Sequence, residues 1–172
     1  CVLISQHADS MGAPGACESA GVPNVSYNGA TYDSCPETFI VSSRIDWTPY
    51  YNYIIKSVVK GEKIAADWCG GIAEGSVVLT GINQDVAAKG TVDKIKDVVK
   101  GFNDGTVKVF DTKTFTVEGK ELTTYTADVD DMGDYKPDTE VVADGAFNES
   151  VKRSAPYFDL KIDGITRLNE NF

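Results

Sequence analysis

Seven side chains able to do chemistry fall into three short clusters, and each cluster stands directly behind an apolar run. His7, Asp9 and Ser10 follow Val2-Leu3-Ile4-Ser5. Asn28 follows the run Val22 to Tyr27. Arg44, Asp46 and Trp47 follow Phe39-Ile40-Val41. His7 and Asp9, two residues apart in one loop, could serve as a general base and its orienting group. They could equally hydrogen-bond a ligand, since a loop at a strand end can aim both side chains at one spot. A tryptophan beside a carboxylate and a guanidinium suits a planar ligand with hydrogen-bonding edges, such as a purine. Trp47 can also be read as packing beside a helix start. No nucleophile is set beside His7 and Asp9 by the sequence, and Cys35 as a thiol partner is a weak hint.

The elements that must position these residues follow from periodicity. The three apolar runs read as strands, and the small-residue stretch Gly12 to Ala20 reads as a helix ending at Gly21. In open parallel α/β sheets ligands bind beyond the carboxyl ends of the strands. Thr48-Pro49 predicts a helix start with Thr48 as the cap and proline in the first turn. Tyr51, Ile54, Ile55, Val58 and Val59 then form an apolar stripe that closes at Gly61. Ile64 to Cys69, Ser76 to Thr80 and Thr106 to Phe110 are predicted strands. Thr91 is the predicted cap of a helix whose buried stripe is Val92, Ile95, Val98, Val99 and Phe102, with Asn103-Asp104-Gly105 at its end. Beyond residue 110 the character changes. Phe115 to Val117 and Leu122 to Tyr125 flank Glu118-Gly119-Lys120-Glu121 as a predicted hairpin. Asp128 to Asp138 is expected to be an exposed acidic loop, and Tyr157 to Leu168 a terminal strand or two.

Composition bounds the reading. The 172 residues, 42% hydrophobic, suffice for a domain with a real core. The formal net charge of −10 argues against binding nucleic acid or anionic membrane through bulk charge. No stretch approaches the roughly 20 apolar residues of a membrane span, and none reads as a signal peptide. Cys1, Cys17, Cys35 and Cys69 show no C-x-x-C spacing, and with one histidine a Cys/His zinc site is not expected. Four cysteines allow three pairings, and free buried thiols are the simplest expectation. Asp128-x-Asp130-x-Met132-Gly133 imitates a calcium loop but carries Met132 at the fifth position and Thr139 at the twelfth, so it is read as a solvated loop. Asn24-Val25-Ser26 and Asn148-Glu149-Ser150 match the glycosylation pattern, a match that arises easily by chance. A strand that begins at Val2 without lead-in is read as a piece of a longer protein. The other reading, a lipid-bearing Cys1, needs a polar tether that is not there.

A family resemblance is carried by an ordered series of segments. These are Ser5-Gln6-His7-Ala8-Asp9-Ser10, Glu18-x-x-Gly21-Val22, Tyr27-Asn28, Ser42-x-x-x-Asp46-Trp47-x-Pro49-Tyr50-Tyr51, and Trp68-x-Gly70-Gly71-x-x-x-Gly75. Together they resemble the second half of the basic membrane lipoprotein family, substrate-binding proteins of ABC transporters similar to purine nucleoside receptors. The likeness covers residues 1 to about 110 and is loose beyond. It implies an α/β fold in which residues 1–110 form part of a Rossmann-like, three-layer lobe of a type I periplasmic-binding-protein fold, truncated. This part includes the return segment into a first lobe. Residues 111–172 would then be a β-rich tail, a β-hairpin and terminal strands packing on the lobe.

The implied function is the substrate-binding component of an ABC importer, not an enzyme. It would hold a purine-like nucleoside or nucleobase between two lobes and would use no cofactor and no metal. The implied ligand-binding residues are His7, Asp9, Ser10, Asn28, Arg44, Asp46 and Trp47. Asn28 stands where relatives often carry an aspartate for the ribose hydroxyls, and Ile45 where the nucleoside-binding branch has a lysine. A free base therefore fits as well as a nucleoside. The implied partners are the ligand and ABC permease subunits, with homo-association of the chain through its exposed apolar helix. The implied location is extracytoplasmic, in the periplasm or lipid-anchored on the outer face of the cell membrane. A hydrolase or transferase using His7 and Asp9 is the alternative.

Overall fold

The first three apolar runs pair with one another as parallel strands. β1 (Ile4–Ser5) lies beside β2 (Asn24–Tyr27), and β2 beside β3 (Phe39–Ile45), with Ser5 opposite Val25 and Tyr27 opposite Ser43. The computed structural model describes residues 1–130, 133–149, 151–152 and 157–167. Within it the chain divides into two compact units, Cys1–Thr106 and Val107–Phe172.

In the first unit the connection from β1 to β2 is α1 (Gly12–Ala20). It is built of small residues and ends where the sequence predicts. Gly21 takes a left-handed φ of 64°, and Val22 N donates to Cys17 O at 3.0 Å, closing the last turn. β4 (Val77–Leu79) completes the sheet as an antiparallel edge, giving the order β1-β2-β3-β4. The molecule is thus an α/β protein with a mixed sheet that contains three parallel strands.

β3 is longer than its apolar run. Ser42, Ser43, Arg44 and Ile45, expected as a polar loop, belong to the strand because β4 supplies partners there: Ser43 faces Leu79, Arg44 faces Val78 and Ile45 faces Val77. Backbone hydrogen bonding, not side-chain polarity, decides where the strand stops. The reverse holds for two predicted strands. Ile64–Cys69 and Thr106–Phe110 form no strand. Phe110 O instead accepts from Phe147 N, and Thr106 N turns back onto Gly101 O.

α2 (Thr48–Lys60) carries proline in its first turn, as expected, but its cap lies one residue earlier than predicted. Trp47 is the boundary residue, and the side chain that closes the helix start is Asp46, whose Oδ1 accepts from Thr48 N at 2.9 Å. α3 (Thr91–Asn103) likewise begins after Gly90, at φ 91°, so Thr91 is its first turn and not its cap. Residues 64–76 and 80–90 connect these elements.

The buried set of the first unit is largely polar. Phe39, Val41, Cys17 and Cys35 are joined by Asn24, Ser26, Thr38 and Ser42. Asn24 Nδ2 donates to Thr38 Oγ1 at 3.0 Å, and that hydroxyl donates to Glu18 Oε2 at 2.6 Å. Glu18 Oε1 also accepts from Glu37 N at 3.1 Å, so one carboxylate ties α1 to the entry of β3. The predicted stripe of α2 faces solvent instead of a core: Tyr51, Ile55, Val58 and Val59 are all exposed, Val59 by 81%.

The second unit has its own core of Ala127, Val141, Phe147 and Tyr157, with Phe110, Tyr125 and Phe158 against it. Its strands are short antiparallel pairs: β5 (Thr126–Ala127) with β6 (Thr139–Glu140), and β7 (Val142–Ala143) with β8 (Ala146–Phe147). The predicted hairpin shrinks to a single bridge between Val117 and Lys120. Glu118 and Gly119 make a two-residue turn, both at positive φ. Residues 133–138 of the acidic loop are exposed, as expected. Its Met132 lies outside the described residues, as do Ser150 of the second glycosylation match and Leu168 of the predicted terminal strand. Residues 157–167 contain no strand. Among the described residues no helix is long and apolar enough to cross a membrane.

Candidate functional site

Because β1, β2 and β3 run parallel, their carboxyl ends open on one edge of the sheet, and that edge collects most of the candidate residues. The neighbouring ends of β1 and β2 meet through rings. His7 stacks on Tyr27 with centroids 4.1 Å apart and planes 16° apart. The loop behind His7 is folded back on itself, with Ala8 N donating to Gln6 Oε1 at 2.8 Å. Asp9 and Ser10 are exposed and lead into the first turn of α1, which has no side-chain cap.

Asn28 ends β2 in a left-handed conformation, φ 63°, with its N–H donating to Ser43 O at 2.7 Å. Asparagine is one of the few residues that enters this region at little cost. The backbone therefore explains its type as well as a ligand would. Its exposed amide has no hydrogen-bond partner among the described residues and is available at the edge.

Arg44 and Asp46 meet at 4.0 Å, a long ion pair between partly exposed groups that contributes little. Asp46 is engaged elsewhere. Its hydrogen bonds from the Thr48 side chain and backbone hold its carboxyl below the usual range, with Arg44 adding less. It holds the turn that leads into α2, just ahead of the Trp47 boundary, where the sequence places the cap at Thr48. Arg44 sits inside β3, so strand alternation sends it and Ile45 to opposite faces of the sheet.

Trp47 is 56% exposed. It is one of four clustered rings: its centroid is 6.3 Å from Tyr50 and 6.2 Å from Tyr51, and Tyr50 is 5.3 Å from Trp68. Gly70 makes room for this cluster. A Cβ there would stand 2.2 Å from the Trp68 ring and 2.8 Å from Ser76 Oγ. Tyr27, Tyr50 and Trp68 are the residues that residue-by-residue reasoning did not put in the site. The signal for Tyr27 was its position beside Asn28 at a strand end. For Trp68 it was the Trp-x-Gly-Gly spacing.

Among the described residues no hydrogen bond joins His7 to Asp9, and no three His, Cys, Asp or Glu side chains gather as a metal set. One face of the sheet carries an opening of its own. A cavity of about 740 Å³ separates α3 from one face of the sheet, lined by Val25, Val41, Val78, Ile95, Val98 and Phe102. It is apolar and open, because the stripe of α3 only partly covers the sheet.

The chain matches no family model and no curated protein sequence.

Proposed function

We propose that this chain forms part of the substrate-binding component of an ABC importer of the basic membrane lipoprotein type. In this reading its first unit is a Rossmann-like lobe of a type I periplasmic-binding-protein fold. The carboxyl edge of β1, β2 and β3 is one wall of a cleft that closes on a small purine-like ligand. The observation that carries the proposal is the convergence at that edge of Asp9, Ser10 and Asn28, exposed polar side chains with no hydrogen-bond partner among the described residues, with the His7–Tyr27 stack. Trp47 and its neighbouring rings, at the end of β3, give a flat base an apolar face. Stacking supplies most of the affinity for such a ligand, and the polar groups fix its orientation. The location that goes with this role is extracytoplasmic, and the protein partner is the permease.

Binding without turnover is the expected behaviour. Titration of the chain with hypoxanthine, adenine, inosine and adenosine, followed by tryptophan fluorescence and by product analysis, tests it. Quenching with unchanged ligand supports the proposal. Conversion of ligand that disappears in His7→Ala establishes the enzymatic alternative instead.

A further inference from the structure

Two of the four cysteines are buried against the same corner of the first unit, at the amino end of the parallel strands and away from the proposed ligand edge. Cys17 lies in the last turn of α1 and Cys35 in the turn before β3; they are 5% and 0% exposed, and both are free. The backbone places them on either side of one junction. Cys17 O accepts from Val22 N at 3.0 Å, Thr38 O accepts from Asn24 N at 2.8 Å, and Cys35 O accepts from Phe39 N at 3.0 Å. Two residues therefore separate each cysteine's hydrogen-bonded neighbour from the point where β2 joins β3, or fewer. Glu18, next to Cys17, bonds to Glu37 N and Thr38 Oγ1, two and three residues past Cys35.

We propose that Cys17 and Cys35 are a disulfide site that staples α1 to the entry of β3 when the chain folds in the presence of a disulfide oxidant. Each thiol gives up its proton and together they give up two electrons. The S–H bonds break, the Sγ–Sγ bond forms, and one glutathione disulfide is reduced to two glutathione thiols. The bridge closes a loop of about 18 residues, long enough for cross-linking to stabilise the fold through the unfolded chain. It reinforces the junction already held by the Glu18–Thr38–Asn24 hydrogen bonds. Burial pushes the Cys35 thiol up, and the Glu18 carboxylate pushes it further. In the folded, reduced chain it is held protonated, a poor nucleophile for exchange. The bridge is therefore set during folding, while the thiols are exposed. Cys1 and Cys69 are exposed in the folded chain and take no part.

Oxidative refolding tests the site. The chain is reduced, unfolded and refolded with glutathione disulfide, its remaining thiols are blocked, and it is digested without reduction for mass analysis. The expected product is one linked peptide pair containing Cys17 and Cys35, two hydrogens lighter than the separate peptides, with Cys1 and Cys69 blocked. The double variant Cys1→Ser, Cys69→Ser leaves both buried positions intact and should give the same bridge. Its thermal midpoint when oxidised should exceed that of its reduced form by roughly 5–10 °C. Blocked, unlinked Cys17 and Cys35 in a refolded chain with native circular dichroism would overturn the proposal. So would a bridge from either to Cys1 or Cys69, or an oxidised double variant no more stable than the reduced one. Ligand titration does not enter these outcomes, so they are independent of the proposed binding role.

Discussion

Single residues here often satisfy two demands, and the variants that separate them are specific. The sequence makes Asp46 a candidate ligand contact, and in the fold its carboxylate accepts from Thr48 N at the start of α2. Its folded-state carboxyl is held below the ordinary range. The stability it contributes is therefore fully present above the unfolded-state pKa and is lost as the pH falls through the folded one. Asp46→Ala should lower the thermal midpoint at neutral pH and narrow its gap from the parent chain in acid. Asp46→Asn, which keeps the acceptor oxygen, should keep most of the neutral-pH midpoint. A pH series of thermal melts checks both. Asn28 needs a different pair. Asn28→Gly preserves the left-handed turn and removes the amide, so it should weaken ligand by about 1–3 kcal/mol with little effect on folding. Asn28→Ala strains the turn as well and should also lose about 1 kcal/mol of stability. If Asn28→Gly binds as the parent does, the residue serves the backbone alone. Thr38 is buried between Asn24 and Glu18, so Thr38→Val should cost about 1–3 kcal/mol in denaturant unfolding, because two polar partners are left unpaired.

At the scale of elements, what was legible in the sequence is what local chemistry controls. The small-residue helix ending at Gly21, the proline in the first turn of α2 and its stop at Gly61 all stand where their residues predict, since a glycine at positive φ or a proline acts on its own turn. What was not legible depends on a partner far along the chain. β3 runs on through Ser42 to Ile45 because β4 lies beside it, and Ile64–Cys69 fails as a strand because no strand among the described residues pairs with it. The same reason limits the site. The three polar clusters were visible as strand ends, but the stacking of His7 on Tyr27 follows from β1 lying next to β2, which no local pattern encodes. The ring cluster gives a further prediction. Gly70→Ala drives a methyl into Trp68 and should cost about 1–3 kcal/mol by overpacking, with a change in tryptophan fluorescence. An unchanged spectrum and unchanged stability would show that the rings have room to spare. The stripe of α2 gives another. Val58→Glu with Val59→Lys should leave stability within about 0.5 kcal/mol, since both side chains are wet, and should shift sedimentation toward monomer at high concentration.

At the scale of the whole molecule the chain carries two units with different means of support. The second rests on an aromatic core, and Phe147→Ala should cost it about 3–5 kcal/mol, read as faster amide exchange at Val141 and Phe147. The first rests on a mixed sheet with a largely polar buried set and presents its parallel-strand edge to solvent. In the proposed role the ligand would draw contacts from both walls of a cleft. Micromolar binding corresponds to about −8 kcal/mol, and one wall supplying about half of it gives millimolar affinity or weaker. The most direct measurement is an amide-correlated NMR titration of the chain with hypoxanthine and with inosine to millimolar concentration. The account predicts saturable shifts confined to residues 6–10, to Asn28 and its neighbours, and to residues 44–51, with weak affinity and no product formed. Shifts confined to the α3 cavity or to the second unit, or none at all, would contradict it.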